Sequence, residues 1–178
     1  MKRIILLAAM SVFATGCSTY ATDRYTISMD NVVALRSLNG QTINVGEFSA
    51  SAPDKRSIVC RAVGPIKPPD GEPFSEYIRK AFLDELRMAE VYSDAAPVTI
   101  TGNLNSIDFS SGNGTWNLSL TVNSSNGNSM SVSEEFSYTT SFYGETACNQ
   151  TAQALMPAVQ NLVGKVVRSA EFPALVTQ

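Results

Sequence analysis

Three cysteines and a set of carboxylates are the side chains of this sequence whose types could do chemistry. The cysteines are Cys17, Cys60 and Cys148, and the 178 residues include 16 Asp and Glu but no His. Without His there is no imidazole for a Ser-His or Cys-His pair and no His ligand for zinc. The spacing of the Cys and acidic residues predicts no metal site, and we expect no cofactor.

The acidic residues do not form a catalytic pair either. Glu134 and Glu135 are adjacent in a segment with strand periodicity, so their side chains point to opposite faces. Glu134 interrupts an apolar face, and a salt bridge or a strand end explains it more simply than catalysis does. No serine lies in a nucleophile-elbow pattern, and no glycine-rich loop could hold a phosphate. The sequence predicts a protein that is not an enzyme, with a hydrolase as the least favoured alternative.

The N-terminal residues have the parts of a secretory signal peptide. Lys2 and Arg3 precede an apolar run over residues 4–13, and three small residues over 14–16 come directly before Cys17. The run is too short to cross a bilayer, which needs about 20 apolar residues. The pattern predicts cleavage of a signal peptide.

The sequence Ala14-Thr15-Gly16-Cys17 resembles the lipobox of bacterial lipoproteins. The resemblance implies that Cys17 becomes the mature N-terminus and carries two acyl chains, such as palmitate, through its sulfur, often with a third on its amine. Two or three chains give a stable membrane anchor, whereas one gives only marginal binding. Ser18 replaces the Asp that retains such proteins in the inner membrane, which implies the inner leaflet of the outer membrane, facing the periplasm. The alternative is an ordinary cleaved signal with Cys17 incidental.

These features predict three parts of the chain: a lipoprotein signal peptide over residues 1–16, a lipidated N-terminus and tether over 17–28, and a single periplasmic α+β domain over 29–178. Residues 18–23 are short and polar, which indicates a flexible tether. Removal of the signal takes away two of the 13 basic residues and no acidic one, which leaves 11 against 16 and a net charge of −5. A mildly acidic chain without a basic cluster argues against nucleic acid as a partner.

Two cysteines remain if Cys17 is lipidated, and an oxidising periplasm favours a disulfide between Cys60 and Cys148. The bond would close a long loop, for which the chain-entropy model allows roughly 4–5 kcal/mol of stabilisation. The alternatives are two buried free thiols or a metal pair.

Hydrophobic periodicity predicts the elements at the start of the domain. A short helix over residues 31–38 is capped by Asp30, and a strand with a bulge at Gly46 follows. Residues 51–72 contain four prolines, which predict a long irregular connection containing Cys60.

Two longer helices are also predicted. An amphipathic helix starts at Pro73, with its charged residues, Glu85 among them, on a solvated face. The last element is a helix from about Thr146, kinked at Pro157 and ended by the Phe-Pro pair at 172–173.

Three segments of alternating apolar and polar residues between these helices predict a meander. A two-residue II′ turn at residues 112–113 places Phe109 opposite Trp116, so that apolar side chains face each other. A three-residue loop over 125–127, with its glycine left-handed, then places Trp116 opposite Phe136.

The order strand, helix, three-stranded meander and helix predicts an α+β two-layer sandwich with a mixed four-stranded sheet. A shift in the alternation of the first meander strand predicts a bulge near residue 105. One face of the meander is apolar and must be covered by both main helices, while the other is rich in Ser, Thr and Asn. The first strand reaches the meander through a helix, so it should lie parallel to a neighbouring strand.

The element order over residues 41–172 resembles that of the lipopolysaccharide-transport lipoprotein LptE, the YajG-like lipoproteins and the N-terminal domain of TolB. The resemblance rests on topology and the lipobox, with no shared residue motif. It implies a role in assembly or maintenance of the outer membrane and cell envelope, through a protein or glycolipid partner. Topology alone does not fix a function.

The first functional hypothesis is a non-enzymatic binding or scaffold lipoprotein with a protein partner in the envelope. Its contact surface is predicted to be an open edge strand or the polar face of the sheet. The alternative for that face is simple contact with water. The candidate binding residues on it are Asn117, Ser119, Thr121, Ser133 and Glu135.

The second hypothesis is a carrier or sensor of lipid or lipopolysaccharide, by analogy with LptE. Such a carrier needs an apolar cleft or a group of basic residues near one. The candidates are Arg56, Arg61 and Lys67 in the proline-rich connection, which would otherwise form a solvated loop.

Overall fold

The computed structural model describes residues 19–38 and 40–177, so the predicted signal peptide and Cys17 lie outside the described residues. Within these residues, no helix is both long enough and apolar enough to cross a membrane. The strands are β1 (Tyr20–Ala21), β2 (Asn44–Ala50), β3 (Ile58–Cys60), β4 (Gly64–Lys67), β5 (Thr99–Ser110), β6 (Thr115–Ser124) and β7 (Ser129–Ser137). The helices are α1 (Met29–Arg36), α2 (Phe74–Met88), α3 (Gly144–Val167) and α4 (Phe172–Val176), and a 3₁₀ turn spans Pro69–Gly71.

The main sheet has the strand order β2-β5-β6-β7. Strands β5, β6 and β7 form the predicted antiparallel meander, and β2 lies parallel to β5. Helix α2 packs on β2 and β5, and α3 packs on β6 and β7. The predicted α+β two-layer sandwich with a mixed four-stranded sheet is confirmed.

Trp116 shows why both helices lie on one face of this sheet. Its side chain is fully buried between the layers, with its ring centroid 6.4 Å from that of Phe74 in α2. Its indole Nε1 donates a 2.8 Å hydrogen bond to the carbonyl oxygen of Thr151 in α3. Burial of a large apolar side chain contributes roughly 1.5–3 kcal/mol, and the core of such side chains is the main stabilising term.

The strand registers agree with the apolar pairing predicted for the meander. Phe109 pairs with Trp116, and Trp116 pairs with Phe136. The register shifts between Leu104 and Ser106, where a bulge was predicted. The second loop has the predicted length, and Gly127 has a φ of +94°, which a residue with a side chain rarely adopts.

The first loop of the meander corrects one prediction. It has four residues, 111–114, and its left-handed residue is Gly114, at φ +70°. The N–H of Gly114 donates to the carbonyl oxygen of Ser110 at 2.8 Å. A Cβ at this position would lie 2.1 Å from the carbonyl oxygen of Tyr138, so glycine is required there. The two-residue II′ turn at residues 112–113 is wrong, although facing apolar side chains gave the correct register.

Residues 51–72 are not the irregular connection that their prolines predicted. Strands β3 and β4 form an antiparallel hairpin, and β1 adds to β4 in parallel, giving a three-stranded sheet in the order β1-β4-β3. Cys60 and Ile66 are fully buried within it. The burial of these two side chains against the core outweighs the low strand propensity of proline.

The predicted flexible tether over residues 18–23 is wrong from Tyr20 onward. Tyr20 and Ala21 pair with Ile66 and Lys67, and the N–H of Thr22 donates to the carbonyl oxygen of Lys67 at 3.0 Å. The packed domain therefore begins well before residue 29. A short polar composition indicated flexibility, but it cannot show that a neighbouring strand offers backbone partners.

Two helix ends also differ from the prediction. Helix α1 begins at Met29 and ends at Arg36, so Asp30 lies in its first turn and does not precede it as a cap. Helix α3 contains Pro157 and ends at Val167. The Phe-Pro pair at 172–173, predicted to end that helix, begins the short helix α4.

The predicted disulfide between Cys60 and Cys148 is present. It joins β3 to α3 across a sequence separation of 88 residues, with a Cα–Cα distance of 5.8 Å. Both cysteines are fully buried. The bond therefore links the small sheet to the helical layer through the core.

We expect replacement of both bonded cysteines, Cys60→Ala with Cys148→Ala, to lower the free energy of unfolding by about 2–5 kcal/mol, because the cross-link restricts the unfolded chain. Urea denaturation of the oxidised wild type and the double variant measures the difference. Wild-type protein treated with a reductant is the control and should unfold at the midpoint of the double variant. Equal midpoints for oxidised wild type and variant would contradict the prediction.

Candidate functional site

The five candidate binding residues lie on the open face of the main sheet, away from the helices. Asn117, Ser133 and Glu135 are exposed, and Ser119 and Thr121 are half-buried. The register places them side by side on β6 and β7, with Ser119 opposite Ser133 and Asn117 opposite Glu135. The structure therefore brings the predicted residues together on one surface.

Many polar side chains of this face already bond one another. Asn105 Nδ2 on β5 donates to Thr121 Oγ1 at 2.9 Å, Thr121 Oγ1 and Ser131 Oγ are 2.8 Å apart, and Ser133 Oγ donates to Ser119 Oγ at 3.2 Å. These bonds run across three strands and use groups that a partner would otherwise recruit. The middle of the face is therefore less available to a ligand than its number of hydroxyl groups indicates.

Strand β7 is one of the two edge strands of the main sheet, the other being β2, and within residues 19–38 and 40–177 no strand pairs with its outer side. Backbone groups of an antiparallel strand point alternately toward and away from the neighbouring strand. The N–H of Tyr138 donates to the Gly114 carbonyl oxygen at 2.7 Å, and the N–H of Ser124 donates to the Asn128 carbonyl oxygen at 2.9 Å. The register between these two pairs has no shift. The backbone groups that point outward therefore belong to residues 129, 131, 133, 135 and 137.

Glu134 has the structural role that the sequence favoured over catalysis. Its carboxylate is buried, with one oxygen 2.7 Å from Lys165 Nζ and the other accepting a hydrogen bond from Asn161 Nδ2 at 3.1 Å. Lys165 Nζ also donates to the outward-facing carbonyl oxygen of Ser133 at 2.6 Å. Glu135, its neighbour, is exposed on the opposite face, so the two carboxylates do not form a pair.

The three cationic residues of the carrier hypothesis do not form one cluster. Arg61 lies in the turn of the β3–β4 hairpin and donates to the Ser111 and Phe142 carbonyl oxygens, whereas Lys67 ends β4 at the other end of the hairpin. Arg56 donates to the Gly71 carbonyl oxygen. The carrier hypothesis stays a prediction without a basic group near a cleft.

An apolar-lined cleft of about 250 Å³ lies between residues 50–55 and 104–108, beside the bulge of β5. Small-molecule sites usually measure about 300–1,000 Å³. Asp54 and Asp108 line this cleft beside Lys55, so it has no excess of positive charge that would favour an anionic lipid headgroup.

A buried carboxylate that the sequence placed on a solvated face is the centre of a second polar cluster. Glu85 in α2 is 0% exposed, and its Oε1 accepts hydrogen bonds from the Tyr25 hydroxyl at 2.5 Å, the Ser28 N–H at 2.8 Å and Asn31 Nδ2 at 3.4 Å. The prediction of a solvated position is wrong. Glu85 follows Ile78 by seven residues and Ala81 by four, which is the spacing of the buried stripe.

The Glu85 cluster extends into α3 through Asn31. Asn31 Nδ2 donates to the Gln160 carbonyl oxygen at 3.0 Å, and its Oδ1 accepts a hydrogen bond from Arg168 Nη1 at 3.1 Å. Gln160 Nε2 in turn donates to the carbonyl oxygen of Thr26 at 2.7 Å. The segment that follows the proposed anchor is therefore held by both main helices.

Two tyrosines of this region have perturbed pKa values. Burial raises the pKa of Tyr25 far above its ordinary value, and the hydrogen bond to Glu85 raises it further. Burial also raises the pKa of Tyr77, with a smaller contribution from Asp23. The Tyr77 hydroxyl donates to the carbonyl oxygen of Asp23 at 2.9 Å. Both phenols therefore favour the protonated form, which donates these bonds.

The described residues, 19–38 and 40–177, contain no group of three or more Cys, Asp or Glu side chains arranged to hold a metal ion. The polar clusters of the described chain are satisfied mainly by hydrogen bonds between protein groups.

No family model and no curated protein sequence match this chain. A crystal structure of a Xanthomonas campestris protein of the family DUF330 is similar, with a TM-score of 0.51 and 11% identity over 84% of this chain and 95% of that chain. This likeness shows a shared fold. A provisionally named lipoprotein from Caulobacter crescentus has a TM-score of 0.41 and 11% identity over 81% of this chain and 93% of its own, which is too low to establish a shared fold.

We expect stability to fall steeply with pH above about pH 10, the ordinary pKa of tyrosine. There the unfolded chain loses the Tyr25 proton while the folded chain keeps it, so the free energy of unfolding falls by about 1.4 kcal/mol per pH unit for this group. Tyr25→Phe should be less stable at neutral pH but should show a shallower decline.

Urea denaturation at a series of pH values from neutral to alkaline measures these slopes. Tyr143→Phe is the matched control, because Tyr143 is 76% exposed, and it should follow the wild type. If the free energy of unfolding of Tyr25→Phe fell with pH as steeply as that of the wild type, the proton on Tyr25 would not contribute to the decline.

Proposed function

We propose that this protein is a lipid-anchored, non-enzymatic binding or scaffold component of the bacterial outer membrane or cell envelope. Acyl chains on Cys17 attach it to the inner leaflet, with the domain in the periplasm. The sequence Ala14-Thr15-Gly16-Cys17 supports the anchor. The open edge of β7 supports the binding role and is the observation that carries it.

The partner that this edge fits is an extended segment of another envelope protein. Such a segment adds a strand to an exposed sheet edge, with backbone hydrogen bonds giving affinity and side-chain contacts giving specificity. In a strand, the direction of the backbone N–H and C=O groups and the direction of the side chain alternate with the same period. The residues of β7 whose backbone groups point away from β6 therefore have their side chains on the polar face. Ser131, Ser133 and Glu135 would therefore contribute both backbone bonds and side-chain contacts.

Lys165 is the residue that currently protects this edge. Its ammonium group donates a hydrogen bond to the Ser133 carbonyl oxygen and also forms a salt bridge with Glu134. Charged side chains on edge strands commonly prevent unspecific pairing. A partner that supplies its own N–H to Ser133 would displace only this one bond, since the Glu134 carboxylate can retain the lysine.

Ser131→Pro should abolish partner binding with little effect on stability. The Ser131 N–H points away from β6, and proline is tolerated on edge strands at such positions. Val132→Pro is the contrasting variant. The Val132 N–H points toward β6, so its loss should destabilise the sheet. Ser131→Ala keeps the N–H that makes the backbone bond and loses only one side-chain contact, so it should still bind the partner.

A photo-crosslinking residue placed at Ser129 in intact envelopes provides the measurement. We expect an adduct for the wild type and for Ser131→Ala, and none for Ser131→Pro. An unchanged adduct in Ser131→Pro would contradict the proposal that the partner binds at this edge. An adduct of twice the monomer mass would identify a second copy as the occupant and would also contradict a different protein partner.

The anchor is tested by labelled palmitate supplied to cells that express the full chain. We expect label in the wild type and none in Cys17→Ser, because the acyl chains are attached through that sulfur. Cys60→Ser is the matched control, since it removes a different cysteine, and it should keep its label. Equal labelling of the wild type and Cys17→Ser would exclude the anchor.

A further inference from the structure

Two aromatic side chains stand exposed in the segment that leads into α3. Phe142 is 94% exposed and Tyr143 is 76% exposed, and their ring centroids lie 6.3 Å apart in an edge-to-face arrangement. Burial of a large aromatic side chain is favourable, so an adjacent pair of them left in water can stabilise a contact with an apolar partner. We call Phe142 and Tyr143 the aromatic pair.

The backbone that carries the aromatic pair is fixed. Arg61 Nη1 donates to the Phe142 carbonyl oxygen at 3.0 Å, while its Nη2 donates to the Ser111 carbonyl oxygen at 2.8 Å. The N–H of Tyr143 donates to Ser141 Oγ at 3.1 Å. The disulfide of Cys60, next to Arg61, ties the hairpin turn to the first turns of α3. The two rings therefore project from a rigid corner of the domain.

Strand β1 begins at the same corner of the domain. Strand β1 runs parallel to β4, with Tyr20 opposite Ile66 and Ala21 opposite Lys67. Its N-terminal end therefore faces the Gly64 end of β4, which is the side of the β3–β4 turn that carries Arg61. Three residue steps separate Tyr20 from Cys17, a reach of at most about 10 Å.

We propose that the aromatic pair docks the domain onto the lipid surface in which Cys17 is anchored. The inference rests on the proposed function, because it takes the acyl anchor as given. The occupant is the interface of a phospholipid bilayer, where the ring of Tyr143 can bury its apolar body and keep its hydroxyl in water, and the ring of Phe142 can enter the acyl boundary. The short, packed N-terminal segment keeps this corner beside the membrane, so the pair meets lipid before any other partner.

The charges of this corner fit a weakly charged lipid interface. Arg61 is exposed and contributes one positive charge, and Glu145, two residues after Tyr143, is exposed and contributes one negative charge. Insertion therefore depends on the two rings rather than on attraction to anionic headgroups. The docked domain has one preferred orientation, because β1 begins at the corner that carries the pair.

Substitution Phe142→Trp in the full, lipidated chain provides the test. The protein is reconstituted into vesicles of phosphatidylethanolamine and phosphatidylglycerol, with and without bromine on the acyl chains close to the headgroup. Trp116 is fully buried and is common to all variants, so differences report the new tryptophan. Val33→Trp is the matched control, because Val33 is 64% exposed on α1.

The control position lies far from the corner. Asn31 in the same helix contacts Gln160 of α3, and Gly164 lies against it, about 30 Å along that helix from Gly144. We expect Phe142→Trp to show emission at shorter wavelength and quenching by the brominated lipid, and Val33→Trp to show neither. Tyr143→Trp should behave like Phe142→Trp.

The outcomes separate this inference from the proposed function. Labelled palmitate in all variants, with Phe142→Trp and Tyr143→Trp no more quenched than Val33→Trp, would overturn the docking while the anchor stands. Quenching of all three would also overturn it, because it would show unspecific adsorption. Absence of palmitate from the wild type would remove the anchor and the docking together.

Discussion

The buried carboxylate of Glu85 is the constraint on which the packing of the N-terminal segment depends. A charge or polar group removed from water must be compensated by hydrogen bonds, and Glu85 Oε1 accepts three, from Tyr25, Ser28 and Asn31. Release of the N-terminal segment would leave Glu85 buried without them. The segment that carries Tyr25, Ser28 and Asn31 is thus held against the core.

The two proposed contact surfaces lie on different parts of the molecule. The corner with Phe142 lies beside the β3–β4 turn, where Arg61 bonds its carbonyl oxygen, and β7 ends at Ser137, five residues earlier in the chain. The free edge therefore starts close to that corner and runs away from it toward Ser129. A strand bound along β7 would contact the side chains of that strand, so its attachment would not involve the aromatic pair.

Much of the sandwich could be predicted because apolar alternation in β6 and the apolar stripes of the helices depend only on local spacing. The pairing of Phe109 with Trp116 followed from matching apolar faces. The small sheet could not be predicted, because its strands are short, contain proline and rely on Tyr20 and Ala21, whose polar neighbours gave no sign of pairing. Glu85 was predicted to lie on the solvated face because it is charged, although its spacing along α2 places it on the buried stripe.

The contacts of the N-terminal segment also determine when the chain can complete its structure. Asn31 bonds to groups 129 and 137 residues further along, and Cys60 bonds to a cysteine 88 residues away. Chains are synthesised from the N-terminus, and folds dominated by distant contacts form slowly. The meander can form early from near neighbours, whereas the first residues to emerge are among the last to reach their final contacts. Until α3 is complete, the parts of α2 and of the small sheet that α3 covers stay exposed to water.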